Sequence, residues 1–89
     1  MATFLEDTER ILAALRNDVE AGRASEVRRH AHSLKSTAAS FGASNLSDLS
    51  RRLEDLGRTG RLEGAQALVE DIAMEFARVG TALRPEAKG

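Results

Sequence analysis

Apolar residues recur along this chain in alternating steps of three and four, and glycines interrupt the recurrence. Residues 3–20 carry Phe4, Ile11, Leu12, Leu15 and Val19, and residues 24–41 carry Val27, Ala31, Leu34, Ala38 and Phe41. Residues 45–56 continue with Leu46, Leu49, Leu53 and Leu56, and residues 62–84 with Ala65, Leu68, Ile72, Phe76, Val79 and Leu83. This is the period of an amphipathic helix. Gly22 marks the first break, and Gly42 stands where a C-terminal glycine cap belongs. Ser44 reads as the N-cap of the third helix, "GRTG" at 57–60 as the next turn, and Pro85 as the stop of the last helix. Four such helices joined by short turns can bury their stripes only against one another. The spacing therefore predicts an all-α fold, an antiparallel up-down-up-down four-helix bundle, in a single domain over residues 1–89.

The chain's 89 residues are enough for one thin core and too few for two. There is no cysteine, which rules out a disulfide framework and a thiolate zinc site. With 13 basic against 14 acidic residues, overall charge gives no reason to expect nucleic-acid binding. No apolar run approaches the roughly 20 residues needed to cross a bilayer, and "MATFLEDTER" has no signal-peptide pattern. The expectation is a cytoplasmic monomer without a membrane partner. Neither GxSxG, a nucleotide-binding glycine loop nor HExxH occurs, and hydrolysis lacks a second catalytic partner.

The reactive candidates are the two histidines of "RRHAHSLKS", residues 28–36. On a helical wheel the apolar set of residues 24–41 clusters within about 40° of its mean direction. His30 lies about 60° from that centre, at the edge of the core, and His32 about 140° away, facing outward. The rings diverge too far to share a metal ion. A flank histidine such as His30 reads as a packing and hydrogen-bonding residue. Around His32, the outer half of the helix carries Ser25, Arg28, Arg29, Lys35, Ser36 and Ala39, a basic surface of small side chains with no carboxylate to pair with the ring. Neutral imidazole is a nucleophile, and cations beside it would stabilise the negative charge that a phosphoryl group brings. Small neighbours would let another protein's active site approach. This combination points to phosphoryl transfer.

At these residues the chain resembles the histidine-containing phosphotransfer (HPt) domains of multistep two-component phosphorelays. The resemblance rests on "AHSLKSTAASFGASNL" (31–46) and "LSRRLEDLGRTG" (49–60). The family's His-x-Leu-Lys-Gly run, Gly-Ala, leucine and Leu-Glu pair match His32, Leu34 and Lys35, then Gly42-Ala43, Leu46 and Leu53-Glu54. Ser36 stands where the family usually has glycine. The resemblance implies that Nε2 of His32 takes the phosphoryl group from a receiver-domain aspartate and hands it to another receiver. It further implies that Lys35 neutralises phosphoryl charge, Ser36 serves the partner's approach, and Gly42 serves helix geometry. The partners implied are response-regulator receiver domains, including that of a hybrid histidine kinase. The receiver would supply Mg²⁺, and this domain, a carrier rather than an enzyme, would need no cofactor of its own. Arg28, Arg29, Ala39, Arg51 and Arg52 would line the docking surface.

Two other readings fit parts of the pattern. The phosphoacceptor hairpin of a sensor histidine kinase also displays a histidine on a helix, but its usual acidic residue and proline are Ser33 and Thr37 here. A helical interaction module without chemistry is the other, since a four-helix fold alone assigns no function.

Overall fold

The computed structural model describes residues 4–83, the side chains of 81–83 excepted. Its elements are α1 (Phe4–Ala21), α2 (Ala24–Ser40), α3 (Ser44–Thr59) and α4 (Ala65–Leu83), with no strand among the described residues. Residue 3, residue 84, Pro85 and the Leu83 side chain, all part of the expected pattern, lie outside what is described.

Contacts between helices fix their directions. Phe4 at the start of α1 stacks on Phe41 just past the end of α2, with ring centroids 4.6 Å apart. Asp18, late in α1, meets His30 in the first half of α2. Ser47 near the start of α3 donates to the Lys35 carbonyl late in α2, while Gly57 near the end of α3 lies on Ala24 and Arg28. Along α4, Glu70 pairs with Arg16 and Gly80 lies beside Leu5. Each neighbouring pair is antiparallel, so the chain runs up, down, up, down and closes α4 against α1. The core between the helices contains Leu12, Leu15, Val27, Leu34, Leu46, Leu53, Val69 and Ile72.

The α2–α3 turn is tighter than expected. Gly42 N–H donates to the Ala39 carbonyl and Ala43 N–H to that of Ala38, a Schellman closure with Gly42 at φ +74°. Ala43 both completes this closure and occupies the N-cap position of α3, where no side chain caps the helix. Ser44 is therefore already inside α3, which corrects its expected role as N-cap. Phe41 also departs from the core role expected of it. The helix ends at Ser40, so the ring leaves the apolar stripe and stays 61% exposed.

The "GRTG" turn begins later than its glycine suggested. Gly57 is helical and buried, and the left-handed Gly60 closes α3 instead. A Cβ on Gly57 would lie 2.7 Å from the Arg28 amide nitrogen, closer than any side chain can stand. This glycine thus marks where α2 and α3 touch backbone to backbone. With Ser50 also turned inward, the buried face of α3 is Leu46, Ser50, Leu53 and Gly57, while Leu49 and Leu56 are half-buried. On α4 the buried positions include Ala65, Val69 and Ile72, and Leu68 is half-buried.

Candidate functional site

The close crossing of α2 and α3 brings an acidic side chain from one helix against a histidine on the other. His32 projects from the middle of α2 with 60% of its side chain exposed, and its Nδ1 lies 3.0 Å from Oε2 of Glu54. Lys35, one turn further along α2, places Nζ 2.8 Å from the other carboxylate oxygen, Oε1. The expectation that no carboxylate pairs with His32 is therefore corrected. Glu54 reaches the ring from α3, and a wheel drawn for α2 alone cannot show it.

Glu54 is only 16% exposed, yet it is held as the anion. The hydrogen bond from Lys35 lowers its pKa most, burial opposes that, and the hydrogen bond from His32 lowers it further. A carboxylate can only accept, so Nδ1 must carry the hydrogen and donate it. In the neutral ring this leaves Nε2 as the atom with a lone pair. Among the described residues no hydrogen bond engages Nε2. The arrangement thus selects the tautomer, fixes the ring and presents a nucleophilic nitrogen to solvent.

Two open grooves flank these side chains. One, of about 420 Å³, is lined by Ser25, Arg28, Arg29, His32, Ser33 and Glu54. The other, of about 380 Å³, is lined by Lys35, Ala39, Gly42, Ser44, Ser47, Asp48 and Arg51. Of the sequence-predicted residues, Arg28 and Arg29 share the groove of His32, while Lys35, Ala39, Gly42 and Arg51 line the second groove, and Ser36 is exposed on α2. Most of the positive charge is answered internally. Arg29 pairs with Glu26, Arg51 with Asp48 at 2.9 Å and Asp55 at 3.4 Å, and Arg52 with Asp48 at 3.2 Å. Among the described residues no group of three or more His, Asp or Glu side chains is arranged to hold a metal ion. Nor is any described helix long and apolar enough to cross a membrane.

His30 is placed quite differently. It is 24% exposed, and its Nδ1 lies 2.8 Å from Oδ2 of the buried Asp18, tying α2 to α1. Arg23 approaches the other oxygen of Asp18 at 3.4 Å.

Comparison with known proteins agrees with this fold. A family profile described as the Hpt domain matches residues 1–82. The fold is similar to the crystal structure of histidine-containing phosphotransfer protein B (HptB) from Pseudomonas aeruginosa PAO1, with a TM-score of 0.91 and 35% sequence identity. The alignment covers 96% of this chain and 74% of that one. No curated protein sequence matches the chain. A kinase hairpin would account for two of the helices, whereas the family match runs through all four. The chain belongs to the Hpt-domain family, the histidine phosphotransfer modules of two-component phosphorelays.

Proposed function

We propose that His32 is the phosphoacceptor, taking a phosphoryl group from the aspartyl phosphate of one receiver domain and passing it to the aspartate of another. The observation that carries this reading is the ring's engagement by Glu54 at Nδ1, which leaves Nε2 open in a groove lined by arginines. In the forward step the Nε2 lone pair attacks phosphorus. The bond from phosphorus to the aspartyl oxygen breaks, and the carboxylate leaves with its electron pair. The ring, neutral before attack, gains positive charge as the new P–N bond forms. Glu54, already accepting the Nδ1 hydrogen, stabilises that charge much as a carboxylate does behind a catalytic histidine. Lys35 faces the oxygens of the migrating group and offsets their charge. The return step reverses each of these events on the second receiver.

The receiver would supply the Mg²⁺ and an acidic pocket, and this chain, a single domain over residues 1–89, acts in this reading as a monomeric, cytoplasmic carrier and no kinase. Receiver domains dock over His32 and onto α3, with Ser36, Ala39 and Gly42 giving low steric cover. Arg51 and Arg52, already bound to Asp48, serve as rim contacts of small energetic weight.

The test is incubation of the chain with a phosphorylated receiver, followed by mapping of the acid-labile, base-stable phosphate. The label is expected on the peptide containing His32. A label on any other residue, or none from any receiver, would overturn the assignment.

A further inference from the structure

We propose that Arg28 is a second phosphoryl-binding group, which holds the phosphohistidine without a partner present and prolongs its lifetime. The proposal rests on the reading of His32 as the acceptor. Among the described residues, every arginine except Arg28 and Arg61 has a carboxylate within ion-pair distance. Arg61 lies in the connection before α4, whereas Arg28 lines the groove that also contains His32 and Glu54. Glu54, the carboxylate in that groove, is already occupied, with one oxygen on His32 and the other on Lys35. Of the two guanidinium groups in this groove, that of Arg29 is paired with Glu26, and that of Arg28 is left without an anion of its own.

Its position is built rather than incidental. Arg28 precedes His32 by one helical turn, and side chains on a helix lean toward its N-terminus, which carries the ring over the turn that Arg28 occupies. The backbone at Arg28 is the point where α3 presses closest. A Cβ on Gly57 would meet its amide nitrogen at 2.7 Å and its Cα at 2.9 Å. The same crossing that delivers Glu54 to His32 therefore also fixes the root of Arg28.

The two cations then have different tasks. Lys35 must share its ammonium between Glu54 and an arriving phosphoryl group. Arg28 has no bond to exchange, and its planar donors match two phosphoryl oxygens at once. In spontaneous hydrolysis, water adds to phosphorus, the P–Nε2 bond breaks, and the ring nitrogen departs with the electron pair, releasing inorganic phosphate. Before water adds, the phosphoryl oxygens of the phosphohistidine carry the group's full negative charge, and a guanidinium with no other partner can hold two of them at once. Held this way by Arg28 with no receiver present, the group is stabilised as the intact phosphohistidine and restrained from the in-line approach of water, which slows its loss.

Full-length chain phosphorylated by phosphoramidate, with no receiver present, separates this role from docking. After removal of the donor, decay of the phosphohistidine ³¹P signal is followed in wild type, Arg28→Gln, Arg28→Lys and Arg61→Gln, with helicity checked in each. Arg28→Gln is expected to shorten the lifetime about threefold or more, Arg28→Lys to restore part of it, and Arg61→Gln to leave it unchanged. Unchanged decay in Arg28→Gln would make Arg28 a docking contact only, even if transfer from a receiver slowed. A signal that persisted in His32→Gln would instead overturn the acceptor assignment itself.

Discussion

His30 and His32 are neighbours on α2, and their immediate chemistry is nearly the same. Each ring offers Nδ1 to a carboxylate from an adjacent helix, at 2.8 Å for Asp18 and 3.0 Å for Glu54. Each carboxylate also contacts a basic side chain, Arg23 in one case and Lys35 in the other. What differs is where the ring stands. His30 sits between α1 and α2 over a carboxylate that is 6% exposed, whereas most of the His32 ring is open to a groove. A histidine–carboxylate pair is therefore not a sign of chemistry on its own. In the first pair it satisfies a buried charge, which would be costly if left alone. In the second it holds the hydrogen on Nδ1 of an exposed ring and leaves Nε2 as the atom with a lone pair.

The sharpest way to break the comparison is to remove each ring in turn. His32→Gln should abolish labelling by a phosphorylated receiver and leave the circular dichroism spectrum unchanged. His30→Ala should keep the label but lower stability by about 1–3 kcal/mol, since Asp18 loses its nearest partner. Labelling that survived in His32→Gln and vanished in His30→Ala would reverse the roles.

Next in size comes removal of the carboxylates. Glu54→Gln keeps an acceptor for the Nδ1 hydrogen but loses the charge that offsets the cationic ring. It should slow transfer about tenfold to a hundredfold, or about 1.4–2.7 kcal/mol of barrier. Asp18→Asn should lower the unfolding midpoint and leave the transfer rate within about twofold of wild type. Equal slowing in both variants would mean that the two pairs act as one unit, and the comparison would fail.

How far the sequence alone reveals this depends on whether a feature lies within one helix or between two. The period of three and four marks all four helices, and the wheel of α2 separates His32 from His30, because each needs only one element. Phe41 and Ser44 are misread because the α2–α3 connection is so short that its residues serve both helices. Gly57 reads as a turn because glycine usually breaks a helix, yet here its missing Cβ is what admits α2. Glu54 is invisible as a partner for His32 because the two are 22 residues apart and meet only after the helices pair. One signal could have found it. Taking Gly57 as the crossing point opposite Arg28 sets the antiparallel register, and one turn back on α3 then faces one turn forward on α2. That register brings Glu54 to His32.

Lys35 offers a smaller but sharper test, because its counterpart Arg23 makes a similar contact beside a ring that should not react. Lys35→Ala should slow transfer from a fixed phospho-receiver about tenfold, or about 1.4 kcal/mol. Loss of its ion pair with Glu54 should cost under about 1 kcal/mol of stability. Arg23→Ala should leave the rate unchanged. A large drop in midpoint with an unchanged rate would make Lys35 a packing residue.

The smallest expected effect is on the pH dependence of stability, and its sign follows from Glu54. Lys35 first, then His32, hold this carboxyl below its ordinary pKa in the folded chain, against the opposing effect of burial. Between the folded value and the unfolded one, about 4.3, the unfolded chain binds more protons, so acid favours unfolding there. The stability Glu54 contributes is thus fully present above the unfolded value and disappears as pH falls through the folded one. Glu54→Gln cannot titrate at this position, and subtracting its urea midpoint from that of wild type cancels the other carboxylates to first order. The gap between the two should be constant from pH 7 to about 5 and should shrink as pH falls below about 4. A gap that stayed constant down to pH 3, or widened, would mean that Lys35 and His32 do not hold Glu54 as an anion. The carboxylate would then not fix the hydrogen on Nδ1, and the contrast with His30 would rest on exposure alone.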